Sequence, residues 1–167
     1  MKILYICTHN RCRSILSEAI TNSLAGNVIE AKSAGSQPEG QVHPLSIKYL
    51  EQAGHATEGL ISQSWDEHED FHPDLVVTVC DSAAGESCPL YFGNTLKVHW
   101  GLSDPSKIEG SDDQIEQAFL DCLTEVTYRV EKLKQLAEQN LDHESLKSAL
   151  LSLTASLLGP CECRIQN

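Results

Sequence analysis

The stretch CTHNRCRS, residues 7–14, leaves the apolar run Ile3-Leu4-Tyr5-Ile6 and enters a segment that begins Ile15-Leu16. Ile15, Leu16, Ala19, Ile20 and Leu24 recur at helical spacing, with Gly26 as a stop, so the stretch joins a strand (Ile3 to Cys7) to a helix. It contains no glycine, and only Asn10 is a residue that takes left-handed backbone geometry at low cost. A strand-to-helix loop of this kind points backbone N–H groups at one spot, and the helix dipole adds partial positive charge. Arg13 supplies a planar fork for two oxyanion oxygens. Cys7 stands where that field favours a thiolate, and such surroundings lower a cysteine from about 8.5 to about 3.5–7.5. Ser14 is placed to donate a hydrogen bond to the sulfur.

Further along, Val28 to Ala34 reads as a second strand. His43-Pro44 opens a helix carrying Ile47, Leu50 and Ala53 and closed by Gly54. Asp74 to Cys80 is a near-continuous apolar run, as in a strand covered on both faces. A loop containing "CDSAAGESCP" and a short strand, Leu96 to His99, come next. Ile115, Phe119, Leu123, Val126, Val130 and Leu133 mark an amphipathic helix over about 113–139, and Leu146, Leu150, Leu153 and Leu157 another over His143 to Leu158. Strands alternating with helices predict an α/β fold, a doubly wound parallel sheet whose ligands bind at the carboxyl ends of the strands. Cys7 and Cys80 each end a strand, so one rim holds both. The expected division is a domain over 1–140, followed by a helix and a loose cysteine-containing tail over 141–167.

At 167 residues the chain is long enough to bury roughly 70% of its unfolded surface. The net charge of −12 opposes nucleic acid and anionic membranes, so an anionic ligand needs a local pocket of donors. The apolar run at Ile3–Ile6 is too short for a signal peptide, and no stretch approaches the roughly 20 apolar residues of a membrane span. A cytoplasmic protein is expected. Seven cysteines at irregular spacings, without an export signal, point to redox chemistry, metal or inert core thiols.

The pattern C-x-x-N-x-C-R-S, met by Cys7, Asn10, Cys12, Arg13 and Ser14, resembles the phosphate-binding loop of the low-molecular-weight protein tyrosine phosphatase family, including its arsenate reductase branch. The resemblance spans about residues 1–139 and implies a four-stranded parallel sheet with flanking helices. It makes Cys7 the nucleophile, with Thr8, His9, Asn10, Arg11, Cys12 and Arg13 forming the oxyanion cradle. It makes Asp104, in the Asp104-Pro105 pair, the general acid. Phosphatases of the family carry aromatic residues after that pair, whereas Ser106-Lys107 follows here. Cys80 and Cys88 match the two relay cysteines of the arsenate reductase branch, with Ser82-Ala83-Ala84-Gly85 as a small-residue path between them. The implied activity is arsenate reduction by a monomer coupled to thioredoxin, or to glutaredoxin with glutathione. A phosphatase acting on phosphate monoesters is the enzymatic alternative. A thiol-rich arsenite- or metal-binding module built on Cys80, Cys88, Cys161 and Cys163 is the non-enzymatic one. Some thioredoxin-coupled relatives hold a potassium ion, and Asn10, Glu18, Ser33 and Asp66 match that ligand set.

"HEDFH", residues 68–72, has the H-E-x-x-H form of zinc proteases, but Pro73 pushes His72 away from helical geometry, so an exposed loop is expected. Cys12 and Cys122 are expected to pack in the interior, and Cys161-Glu162-Cys163 to be solvated.

Overall fold

The computed structural model describes residues 1–80 and 95–158, with side chains up to residue 153. Four parallel strands form one sheet: β1 (Lys2–Cys7), β2 (Glu30–Gly35), β3 (Leu75–Thr78) and β4 (Leu96–His99), in the order β2-β1-β3-β4. The helices are α1 (Arg13–Ala25), α2 (Pro44–Gln52), α3 (Asp112–Glu138) and α4 (His143–Leu158), with single 3₁₀ turns at Trp65–His68 and Pro105–Lys107. The doubly wound parallel sheet read from the sequence is therefore the fold.

β1 lies at the centre because both of its faces are apolar: Ile3, Leu4, Tyr5 and Ile6 are all fully buried. Its register pairs Ile6 with Ala34 on one side and with Thr78 on the other. The chain leaves β1 for β2 on one side and later returns to β3 on the other. This reversal opens a crevice beyond the carboxyl ends of β1 and β3, the usual ligand position in such sheets. The stretch 7–14 emerges into that crevice.

α1 packs on β1 and β2 and against α3. Ser111 begins α3 with a capping box, its hydroxyl accepting from the Gln114 N–H while Gln114 accepts from the Ser111 N–H. The helix then buries Phe119, Cys122, Leu123, Val126, Val130 and Leu133 at helical spacing. Phe119 stacks on Tyr49 of α2 with ring centroids 5.1 Å apart. Asn140, at φ 48°, turns the chain out of α3, and Leu150 of α4 joins the same apolar cluster as the sheet.

The boundaries differ from the sequence reading at three strands, by one residue at β1, which begins at Lys2. β2 begins at Glu30 rather than Val28, because the Val28 and Ile29 N–H groups donate to the Ala25 carbonyl and finish the turn after α1. β3 ends at Thr78, before the predicted Cys80. Val79 still donates to the Ile6 carbonyl, but Cys80 faces the loop that follows β1.

Candidate functional site

The loop between β1 and α1 is held from outside through its carbonyl oxygens. Thr8 O accepts from Gln37 N (2.9 Å), His9 O from Glu39 N and the Ser62 hydroxyl (3.1 Å each), Arg11 O from His43 N (3.0 Å), and Cys12 O from Leu16 N (2.8 Å). A trans peptide points its N–H opposite to its C=O. Carbonyls turned outward therefore turn the N–H groups of His9, Asn10, Cys12 and Arg13 inward, beside the first turn of α1. The left-handed residue that makes this curvature is Asn10, at φ 46°. Its buried amide fixes the loop from within, donating to the Ser14 (2.8 Å) and Ser33 (3.0 Å) hydroxyls and accepting from Gln63 N (2.9 Å). Ser14, with its oxygen already accepting from Asn10, keeps its own hydroxyl proton to donate. Gly35 completes the cradle: a Cβ there would lie 2.6 Å from Thr8 O, so only glycine allows the loop to approach β2 so closely.

Cys7 is buried at the start of the loop, beside Cys80. Cys80 is also buried, and its sulfur accepts from the Thr8 N–H at 3.4 Å, with the Thr8 hydroxyl at 3.6 Å. The Thr8 amide, expected among the oxyanion donors, thus serves Cys80 in this state. Both cysteines are free thiols. Cys80 and burial push the Cys7 thiol up, while Arg13 and the His9 N–H pull it down. The sequence predicts a thiol lowered by its loop, and the direction here is the reverse. Two thiols in contact cannot readily both ionise, so the neighbour supplied by β3 outweighs the loop.

Arg13 reaches across the crevice to the segment after β4. It donates to Leu102 O (2.9 Å) and to Asp104 Oδ2 (3.2 Å), and its buried Nε has no hydrogen-bond partner among the described residues. An oxyanion over the loop would satisfy that nitrogen. Asp104 caps the 3₁₀ turn Pro105–Lys107, its Oδ1 accepting from both the N–H (2.9 Å) and the hydroxyl (2.5 Å) of Ser106. The Arg11 side chain turns to the rim, donating to Glu39 (3.0 Å) and to the Ser106 hydroxyl (3.3 Å). Cys12 is buried at the N-terminus of α1, and burial pushes its thiol up to about 11.

Of the four residues matched to a potassium site, three form one hydrogen-bonded chain. The Ser33 hydroxyl donates to Glu18 Oε2 at 2.5 Å and accepts from Asn10. Burial raises the Glu18 carboxyl to about 7, against the Ser33 hydrogen bond and the charge of Lys32. Asp66 is exposed and accepts from Ser64 at the start of Trp65–His68. The "HEDFH" stretch lacks the helix a zinc motif needs. His68 closes the 3₁₀ turn, buried against the Ser33 carbonyl at 3.0 Å, and His72 is exposed with φ 52°. Cys122 is buried on α3. Cys88, Cys161 and Cys163 lie outside the described residues.

Sequence reasoning missed Ser106 and Gly35, and missed the outward role of the Arg11 side chain. A serine directly after Asp-Pro, on the rim of an oxyanion loop, is a signal that was available for the first.

Residues 2–147 match the low molecular weight phosphotyrosine protein phosphatase family. The arsenate reductase of Halalkalibacterium halodurans is 34% identical over 128 residues, covering 77% of this chain and 91% of that protein. Among solved structures, an arsenate reductase in a phosphate-binding state superposes with a TM-score of 0.67 at 27% identity, covering 80% of this chain and 96% of its own. A thioredoxin-dependent arsenate reductase from Corynebacterium glutamicum gives 0.64 at 25% identity, covering 84% of this chain and 63% of its own.

Proposed function

Because the chain belongs to the low molecular weight phosphotyrosine protein phosphatase family, we propose that it reduces arsenate to arsenite, with Cys7 as nucleophile and Cys80 as the second thiol. The Cys7 thiolate attacks arsenic, and an oxygen leaves as water with a proton from Asp104. Arg13 and the inward N–H groups hold the remaining oxygens. Cys80, as thiolate, then attacks the Cys7 sulfur. The S–S bond forms, the S–As bond breaks, and its electron pair reduces arsenic(V) to arsenic(III). Cys88 attacks Cys80, freeing Cys7 and leaving a Cys80–Cys88 disulfide for an external dithiol to reduce. Thioredoxin is the favoured reductant, with glutaredoxin and glutathione as the other source of the same two electrons.

The observation that carries this reading is the buried Cys80 sulfur seated on the N–H of Thr8, the residue after Cys7, where it pushes the Cys7 thiol up. Ester hydrolysis needs only water after the first displacement, so a second buried thiol beside the nucleophile serves electron transfer better than hydrolysis. The place of Cys80 also has a use in the relay. It keeps the attacking sulfur within reach.

Potassium belongs to the proposal. Glu18 and Ser33 present oxygens side by side, with Asn10 holding Ser33 through its amide nitrogen, and a carboxyl raised to about 7 gains from a cation that favours its ionised form. The cation would stiffen the cradle behind Asn10 and take no part in the bond changes. The setting is the cytoplasm, which keeps such thiols reduced, and the acting species is a monomer.

The test is arsenate-dependent NADPH oxidation by the full chain with thioredoxin and thioredoxin reductase. Steady oxidation, abolished in Cys7→Ser, Cys80→Ser and Cys88→Ser, is expected. Turnover of aryl phosphates that survives Cys80→Ser, without arsenate-dependent oxidation, would replace the reductase by a phosphatase. Oxidation only with glutaredoxin and glutathione would keep the reductase and change its reductant.

A further inference from the structure

We propose that Ser106 is a positioning residue that decides which oxygen of Asp104 carries the transferred proton, and that Arg11 orients Ser106 for that task. The inference rests on the arsenate reading and deepens it.

The two carboxyl oxygens of Asp104 have different surroundings. Oδ1 accepts two hydrogen bonds from one residue, the Ser106 N–H at 2.9 Å and the Ser106 hydroxyl at 2.5 Å. Oδ2 has Arg13 Nη2 at 3.2 Å. A proton on Oδ1 would displace one of the Ser106 bonds, whereas Oδ2 becomes free when Arg13 turns to an incoming oxyanion. Oδ2, which faces Arg13 and its anion, is therefore the oxygen through which Asp104 delivers the proton. In the reaction Oδ2–H gives its proton to the oxygen leaving arsenic, which departs as water as the Cys7–As bond forms. The carboxylate that remains is held by the same two Ser106 donors.

A serine hydroxyl has one proton, and its direction is set by what the oxygen accepts. The Ser106 oxygen accepts from Arg11 Nη2 at 3.3 Å, so its own proton is left for Asp104. Arg11 is fixed in turn by Glu39, whose carboxylate takes Nη1 at 3.0 Å. The chain Glu39–Arg11–Ser106–Asp104 thus runs from the exposed rim to the acid and ties the β1–α1 loop to the segment after β4. Of the four, Asp104 alone meets the cradle, through Arg13, while Glu39 and the Arg11 side chain lie on the rim. Loss of the chain should change the rate of the protonated step and leave anion binding intact.

The experiment is single-turnover arsenite release from the reduced full chain, without external reductant, in wild type, Ser106→Ala, Ser106→Thr and Arg11→Met. Competitive inhibition by inorganic phosphate is measured on each. Ser106→Ala should slow release about 10-fold, a fraction of what a general acid contributes in full, with phosphate inhibition unchanged within about 2-fold. Ser106→Thr, which keeps the hydroxyl, should restore the rate. Arg11→Met should slow release by a smaller factor that is lost in the Ser106→Ala background, since the two act through one hydroxyl. Wild-type rates in Ser106→Ala, failure of threonine to rescue, or a parallel loss of phosphate affinity would each overturn the proposal. In those cases wild-type release leaves the arsenate reading standing. No arsenite from wild type itself would remove that reading and this inference with it.

Discussion

Two loops meet over Cys7, and they are held in opposite ways. The β1–α1 loop is fixed by backbone: outward carbonyls bonded to residues 37, 39, 43 and 62, a buried asparagine amide, and a glycine that admits close approach. The segment after β4 is held to it by side chains, through Arg13 to Leu102 and Asp104 and through Arg11 to Ser106. Backbone anchors of the first kind open only when the fold opens. Side-chain links of the second kind exchange partners at little cost, and Arg13 is the link that an arriving anion would claim. The difference separates recognition, which needs a preformed set of donors, from proton delivery, which needs a group that can let go.

Asp104→Asn cuts the movable side of this division. The expected result is a loss of about 10²–10⁴ in the rate of arsenite formation, the usual range for a general acid. The unfolding midpoint should move by less than about 1 kcal/mol equivalent, since the Arg13–Asp104 pair is partly solvated. Parallel kinetics and denaturant titration would show both. A large loss of stability would mean that the second loop is as structural as the first.

Asn10→Ala cuts the fixed side and should give the opposite signature. It leaves the buried Gln63 N–H and the Ser14 and Ser33 hydroxyls short of a partner, and it puts alanine at φ 46°. A destabilisation of about 2–4 kcal/mol is expected from these groups, with weaker phosphate binding measured by calorimetry on whatever remains folded. A stable Asn10→Ala protein with normal phosphate affinity would erase the contrast between the two loops.

Glu18 gives the smallest effect and sharpens the account of the fixed side. Its folded carboxyl, raised to about 7 from an ordinary 4.5, keeps a proton that the unfolded chain has lost. Stability must therefore fall as pH rises from about 4.5 to 7, by up to about 3 kcal/mol from this group. Glu18→Gln should flatten that part of the curve. If potassium sits beside Glu18, adding it at pH 8 should raise the melting temperature of wild type and leave Glu18→Gln where it was.

Much of this site was legible from residue types that are adjacent in sequence. Asn10 was readable as the left-handed residue because nothing else in the loop tolerates that geometry, and its φ of 46° agrees. The strand before it and the helix after it followed from apolar spacing. What the sequence hid came from pairs far apart in the chain. The Cys7 thiol is pushed up by a residue brought in by β3, and no local rule about helix N-termini contains that neighbour. Arg11, expected inside the cradle, is drawn to the rim by Glu39 and Ser106. β3 was read too long because an apolar run continues past the last paired residue, and burial at Val79 and Cys80 does not require a ladder.

The register of β1 on β3 has a consequence for quality control of the fold. Cys7 ends β1 and Cys80 follows β3 by two residues, and the two strands meet with Ile3 facing Leu75 and Ile6 facing Thr78. Sliding that ladder by one residue would move the strands by about 3.3 Å and turn alternate side chains to the other face. Cys80 would then be displaced from the Thr8 N–H, and the two sulfurs would not meet. A Cys7–Cys80 bond closed by a mild oxidant would therefore report on the alignment of the sheet. A population of molecules that closes it promptly under mild oxidant has its two central strands in native alignment, and the fraction that lags counts the misassembled ones.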